Sequence, residues 1–191
     1  MNLRTILFSL FIAGALLTGC VVKNLGYFEV NPYARVSTDK IDQPLYVRLS
    51  DRIADRSETK APGFTFKVID FHKSLYYAFN RSFKDLFIDV QPASSESMGF
   101  ILEVQRMDTR WEIKEHKRSN NQVNTSTPEN DMWCVIDYAS TIYRNNLLVS
   151  QSTGTVKVKR GDDNIYSTES MFKEAVKLAC ANMTQDHFNK K

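Results

Sequence analysis

Three cysteines and three histidines are the side chains of this 191-residue chain with the widest chemistry open to them. Cys134 and Cys180 are of a type that can pair, hold a soft metal or attack a carbonyl; His72, His116 and His187 can hold a metal or move a proton. No short metal-ligand spacing joins any of them. Both cysteines fall on apolar stripes, where a thiol has no base to activate it. The chain has no Gly-x-Ser-x-Gly elbow, no His-Glu-x-x-His, no phosphate loop and no dinucleotide fingerprint. None of its many carboxylate pairs is distinctive enough for glycoside chemistry. These absences lead us to expect no enzyme, no metal and no cofactor. Cys20 stands apart. It follows Leu17-Thr18-Gly19 directly, at the end of an apolar run from Ile6 to Leu17 with Arg4 ahead of it. Such a run is too short for a comfortable membrane span and has the layout of an export signal.

Leu17-Thr18-Gly19-Cys20 resembles, at all four positions, the bacterial lipobox Leu-(Ala/Ser/Thr)-(Gly/Ala)-Cys. The resemblance implies that the Cys20 thiol receives a diacylglycerol, that cleavage follows Gly19, and that the new amine is acylated in turn, with palmitate as the implied chain. Residues 1–19 are then a lipoprotein signal peptide. Val21 stands where enterobacterial relatives held at the inner membrane carry aspartate. That implies an outer-membrane lipoprotein, anchored by its lipid, with its domain facing the periplasm.

What remains after residue 19 has the size of one domain, large enough to bury a core. A net charge of +3 from well-mixed signs argues against a nucleic-acid partner, which would call for clustered basic residues. From Val21 to Gln43 no period is sustained, and Asn31-Pro32 and Ser37-Thr38-Asp39 read as breakers. We expect residues 20–43 to be a lipidated N-terminus and tether, with Tyr27, Phe28 and Tyr33 resting on the domain, a partner or the lipid surface. Residues 44–191 are expected to form a single α+β domain.

Alternation predicts strands at 45–50 and 64–69, and a charged loop from Asp51 to Gly63. Asp70 is placed to cap a helix whose apolar face is Phe71, Leu75, Ala78, Phe79, Phe83, Leu86 and Phe87. Its aromatic density is read as packing on a sheet. A short strand at 88–91 ends at Pro92. The long strand from Gly99 to about Glu115 carries its apolar side on Phe100, Leu102 and Val104, then on Met107, Trp111 and Ile113. The parity flips once, so a bulge is expected near Gln105 to Met107. His116 to Asp131 reads as a polar hairpin loop. Strands at 132–143 and 147–160 flank an Arg144-Asn145-Asn146 turn. The last helix is capped by Ser167 or Thr168 and buries Met171, Phe172, Ala175, Val176, Ala179, Cys180 and Met183.

Both helices have one apolar face, so the fold class is a two-layer α+β sandwich: two helices on one face of a twisted, largely antiparallel sheet. The lipobox, this element order and the Ile136-Asp137-Tyr138 … Asn145-Asn146-Leu147-Leu148-Val149-Ser150 hairpin together resemble small bacterial envelope lipoproteins. These are the YajG-type lipoproteins, the LptE family and the ABC-transport auxiliary lipoproteins. The resemblance implies a non-catalytic accessory or interaction subunit of an envelope assembly or transport system, with an envelope protein as partner and no functional residue carried over beyond the lipobox. The alternative is a carrier or sensor of an apolar or glycolipid ligand held between helices and sheet, in a cavity lined by Phe64, Phe79, Phe83 and Trp111.

Two further features concern surfaces and pairing. Arg106, Arg110 and Lys114 share one side of the long strand, and Lys157, Lys159 and Arg160 fall on a later one. Such a stripe suits an anionic lipid or acidic partner, or else a solvated face of cross-strand ion pairs, since Asp108 and Glu112 interrupt it. Export to an oxidising compartment makes a Cys134–Cys180 disulfide one reading; two buried free thiols are the other.

Overall fold

The structure is a computed structural model and describes residues 21–33, 39–61, 63–114 and 131–189. In chain order the strands are β1 (Val21–Leu25), β2 (Leu45–Leu49), β3 (Ser57–Ala61), β4 (Phe64–Val68), β5 (Val90–Pro92), β6 (Phe100–Lys114), β7 (Asp131–Arg144) and β8 (Leu147–Lys159). Helix α1 (Phe71–Phe83) lies between β4 and β5, and α2 (Thr168–Phe188) closes the chain.

Helices pack on sheet as expected, but the sheet is two. Five strands are ordered β5-β2-β6-β7-β8, and three more form a smaller sheet, β1-β4-β3. β6, β7 and β8 are the antiparallel meander, whereas β2 runs parallel to both β5 and β6. The parallel β2–β5 pairing follows from α1. A helix between β2 and β5 returns the chain to the same end of the sheet, and the β3–β4 hairpin is inserted ahead of it. Periodicity reports which face of a strand is buried and says nothing about its direction.

The long meander is where sequence pattern and structure agree best. The β6–β7 register shifts between Val104 and Arg106, at the parity flip. Asn145 and Asn146 both take positive φ (51° and 64°), the two-residue turn whose twist suits a hairpin. Ser167 caps α2 by accepting the Ser170 amide at 3.0 Å. The α2 stripe of Met171, Phe172, Ala175, Val176, Ala179, Cys180 and Met183 is fully buried, facing β7 and β8.

Asp70 does not cap α1. It sits in the left-handed region (φ 59°), with no side-chain bond to the helix. The first amides go instead to Asp55: Phe71 to its carbonyl at 3.1 Å and His72 to its carboxylate at 2.8 Å. A residue from the segment read as a charged loop therefore closes the helix. That segment also contains β3, whose residues Ser57 to Ala61 pair antiparallel with β4.

Candidate functional site

Cys20 lies outside the described residues, but the chain that follows it does not hang free. Val21 opens β1, which pairs in parallel with β4 in the register Val21 to Phe64 and Leu25 to Val68. Leu25, Phe28 and Val30 are buried. Phe28 packs on Phe71 and Phe172 with ring centres at 6.4 and 5.7 Å, and its amide donates to Ser74 Oγ at 3.1 Å. Tyr27 meets Tyr77 edge-on under the Lys73 ammonium, and Arg81 donates to Asn31 at 2.9 Å. Tyr33 is exposed. The expected tether over 20–43 is thus corrected: its described front half, 21–33, is part of the domain, and the domain begins well before residue 44. The segment shows no clean alternation because four of the five β1 residues are exposed on both faces of an edge strand.

The basic stripe resolves into a ladder of ion pairs on the sheet face away from the helices. Arg110 pairs with Asp137 and with Glu112 (3.3 Å), and Lys157 reaches Glu112 at 2.9 Å. Lys159 holds Asp131 at 2.9 Å and lies over the Trp133 ring, and Arg106 lies 3.9 Å from Asp108. The Lys157 hydrogen bond holds the Glu112 carboxyl below its ordinary range, and the Thr155 hydroxyl together with Arg110 does the same for Asp137. Lys114 and Arg160 stand at strand ends outside this ladder. Four of the six cations proposed for an anionic partner are therefore already matched by acids of the same chain. Two of those acids, Asp131 and Asp137, come from β7, and only the register brings them there.

Cys134 and Cys180 both face the core, as expected, and both are free thiols. The disulfide reading is corrected in favour of its alternative. Sharing a core is necessary for a bond, but the two α-carbons and their Cβ directions must also match. Burial pushes the Cys134 thiol up to about 12 and raises Cys180 as well, so neither is a nucleophile at neutral pH.

Of the histidines, His116 lies outside the described residues, as does all of the expected 116–131 loop except Asp131. His72 contacts the Ile53 carbonyl at the start of α1. His187 bridges two strands: Nε2 lies 2.9 Å from Ser140 Oγ on β7, and Nδ1 lies 2.6 Å from Ser150 Oγ on β8. Burial lowers its pKa to about 4, so the ring is neutral at pH 7. Beside it Ser152 donates to Asp186 at 2.7 Å. A serine–histidine contact begins a nucleophile pair, but here Ser140 is sealed at 1% exposure. The second nitrogen is held by a serine rather than an orienting carboxylate. The network fastens the end of α2 to the seam between β7 and β8. No cluster able to hold a metal occurs among the described residues.

The four aromatics proposed to line a cavity are packed in contact. Phe64 meets Trp111 edge-on at 5.4 Å, and Phe79 and Phe83 stack at 6.3 Å. Phe66 and Phe172 fill the space between helices and sheet. Two open, polar surface depressions lie elsewhere. One, at the β6 bulge, is lined by Arg52, Glu103 and Arg106. The other, of about 690 Å³, runs beside β8 and the end of α2 and is lined by Gln151, Ser152, Thr153, Gln185, Asp186 and Asn189.

The feature that pattern reading passed over is the exposed start of β8. Leu147, Leu148 and Val149 are 73%, 58% and 53% exposed, on the outer edge of the five-stranded sheet. The signal was present in the sequence: from Leu147 to Val156 the strand has no charged residue.

No protein-family model matches the chain, and no curated protein matches it. Solved structures do. Protein XCC0632 from Xanthomonas campestris, of family DUF330, superposes with a TM-score of 0.50 at 14% identity, over 86% of this chain and 92% of its own. A minor lipoprotein from Acinetobacter baumannii gives 0.44 at 12% identity, over 78% and 94%. The uncharacterized lipoprotein B from Nitrosomonas europaea gives 0.45 at 10%, over 77% and 83%. At such identities the first likeness is one of fold alone. Among the described residues no helix is long and apolar enough to cross a membrane.

Proposed function

We propose that this chain is a lipid-anchored outer-membrane lipoprotein, its domain in the periplasm, serving as a non-catalytic interaction or accessory subunit of an envelope assembly. The observation that carries the reading is the complete Leu17-Thr18-Gly19-Cys20 lipobox followed at once by a docked strand. Acylation of Cys20 supplies several chains, enough for a stable anchor where one chain alone is marginal. β1 then passes that anchor straight into the folded domain. Its first residue sits opposite Phe64, whose ring packs on Trp111 near the far end of β6. The free edge of β8 offers a surface for a protein partner. The carrier reading gains no support, because the aromatics that would line its cavity pack against each other.

The test has two parts. Cys20→Ser should leave an uncleaved or soluble product; unchanged membrane fractionation and mature mass would refute the anchor. Affinity isolation of the lipidated protein, after cross-linking in its native envelope, should recover a stoichiometric protein. Recovery of lipid without protein would overturn the accessory reading in favour of a carrier.

A further inference from the structure

The two edges of the five-stranded sheet are treated differently. At one side β5 is three residues long and ends in Pro92, which has no amide to donate. Short length and proline are common means of closing an edge to new partners. At the other side β8 runs 13 residues, and among the described residues no strand pairs with its outer side. Its first ten residues, Leu147 to Val156, carry no charge. Edge strands are ordinarily blunted by charged side chains, lysine above all. Here the lysines come only at 157 and 159, where Lys157 is bound to Glu112 and Lys159 to Asp131.

We propose that β8 pairs antiparallel with β8 of a second copy of this chain about a two-fold axis at Thr153, joining two five-stranded sheets into one. The sequence of the strand fits itself in that register. Thr153 meets Thr153 of the second copy, and Gln151 meets Thr155, uncharged pairs of the kind that stabilise adjacent strands. Ser150 meets Val156, and Ser152 meets Gly154. Beyond these, Lys157 of each copy falls beside Val149 of the other, where the β7–β8 register shifts, and its aliphatic stem covers part of the exposed apolar start of the strand. The two Lys157 residues lie eight positions apart along the ladder, about 27 Å, and do not repel.

The helix layer fits as well. His187 contacts Ser140 on β7 and Ser150 on β8, so the end of α2 lies over the seam between those strands. Its axis is then about half a strand spacing inside β8. Adding one further spacing of about 4.8 Å between the two β8 strands sets the two α2 axes roughly 9–10 Å apart. That is the ordinary separation of packed helices. The flank of α2 toward the edge carries Leu178 and Gln185, with Asn189 as its C-cap; Glu174, one turn before Leu178, is paired with Lys177, and Asp186 accepts from Ser152. Sheet and helix layers thus close together, as a self-complementary two-fold interface requires. The pairing does not depend on the proposed anchor and is compatible with it: an axis normal to the sheet leaves both N-termini at the same height, so both lipids reach one membrane.

The test uses the full-length protein in mild detergent and a short bismaleimide. Thr153→Cys places two thiols across adjacent strands, about 5 Å between α-carbons, whereas Lys159→Cys separates them by about 40 Å. A covalent dimer is expected from the first and not the second; Cys134 and Cys180 are fully buried, and the parent chain is the control for any cross-link through Cys20. By light scattering the parent mass should halve in Thr153→Lys, which should still unfold in one cooperative transition, its midpoint no longer rising with protein concentration as the parent's does. Absence of dimer from Thr153→Cys, equal yields from both variants, or a parent of monomer mass would each overturn the proposal.

Discussion

Phe28 separates a docked N-terminus from a tether most sharply. It is 3% exposed, stacked on Phe71 of α1 and edge-on to Phe172 of α2, and its amide is bonded to Ser74. Truncation to alanine removes the ring and leaves a cavity at the junction of both helices with the small sheet. Substitutions of this kind cost about 3–5 kcal/mol. Domains of this size have a total stability of roughly 5–15 kcal/mol, so the loss is a large fraction of the whole. With a urea slope near 2 kcal/mol per molar, the midpoint should fall by about 1.5–2.5 M. The assay is equilibrium unfolding of the chain beginning at Val21, followed by the fluorescence of Trp111 and Trp133. Trp111 reports on the Phe64–Phe66 cluster beside β1, and Trp133 on the ladder on the opposite face of the same sheet, so coincident transitions in single-tryptophan variants would show that the two faces unfold together. A surface position on a free linker would move stability by less than about 0.5 kcal/mol. A midpoint shift that small would refute the docked strand and restore the tether.

Asp55→Ala should cost about 1 kcal/mol of thermal or urea stability by removing the α1 cap, while Asp70→Ala, with no side-chain bond to lose, should show no cap loss. Gly154→Ala should destabilise by roughly 1–3 kcal/mol, since a Cβ there collides with the Tyr138 hydroxyl and meets its ring carbon at 2.6 Å. Tyr138→Phe should therefore fail to rescue it, while Tyr138→Ala relieves the clash. His187 has a folded pKa lowered to about 4 from 6.5, so between those values the unfolded chain binds the extra proton. Stability should fall as pH drops from 6.5 to 4, by about 2–3 kcal/mol, and His187→Gln should flatten that slope in urea titrations across the window.

How much of this was legible in the sequence follows from where each element sits. The β6–β8 meander and α2 were readable because each buries one face and exposes the other, so the period survives: Cys134, Ile136 and Tyr138 inward, Asp137 and Lys157 outward. The bulge was readable for the same reason, as a slip of one position. β1 and β3 were not, because both are edges of a small sheet and expose most of their residues; Ser57-Glu58-Thr59-Lys60-Ala61 has no apolar side to reveal. The α1 cap was misassigned because Asp55 is close in space rather than in sequence, and Asp70, next to the helix, is turned into the left-handed region. Strand direction, the split into two sheets and the acids that neutralise the basic stripe all depend on register between distant segments. A one-dimensional pattern does not contain it. Whether two inward cysteines bond is a question of the same kind.

The docked β1 changes what a lipid on Cys20 would do. A free linker of 23 residues has a root-mean-square reach of roughly 25 Å and an extended reach of about 80 Å. That is enough for a domain to search the periplasm while tied to the membrane. With β1 folded from Val21, only one peptide unit, about 3.8 Å between α-carbons, separates Cys20 from the sheet. With Cys20 acylated as proposed, the domain would be held against the bilayer surface and its orientation restricted. A partner would then have to come to the membrane, or be resident in it, to be met. Such restriction raises the effective concentration of membrane-resident partners, including other copies of the chain, and lowers that of soluble ones. Inserting a flexible Gly-Ser linker between Cys20 and Val21 should therefore weaken capture of a membrane-resident partner in native envelopes while leaving the domain's unfolding midpoint unchanged. Stronger capture by the linker variant would mean that the short connection limits the protein's reach and does not serve its recognition.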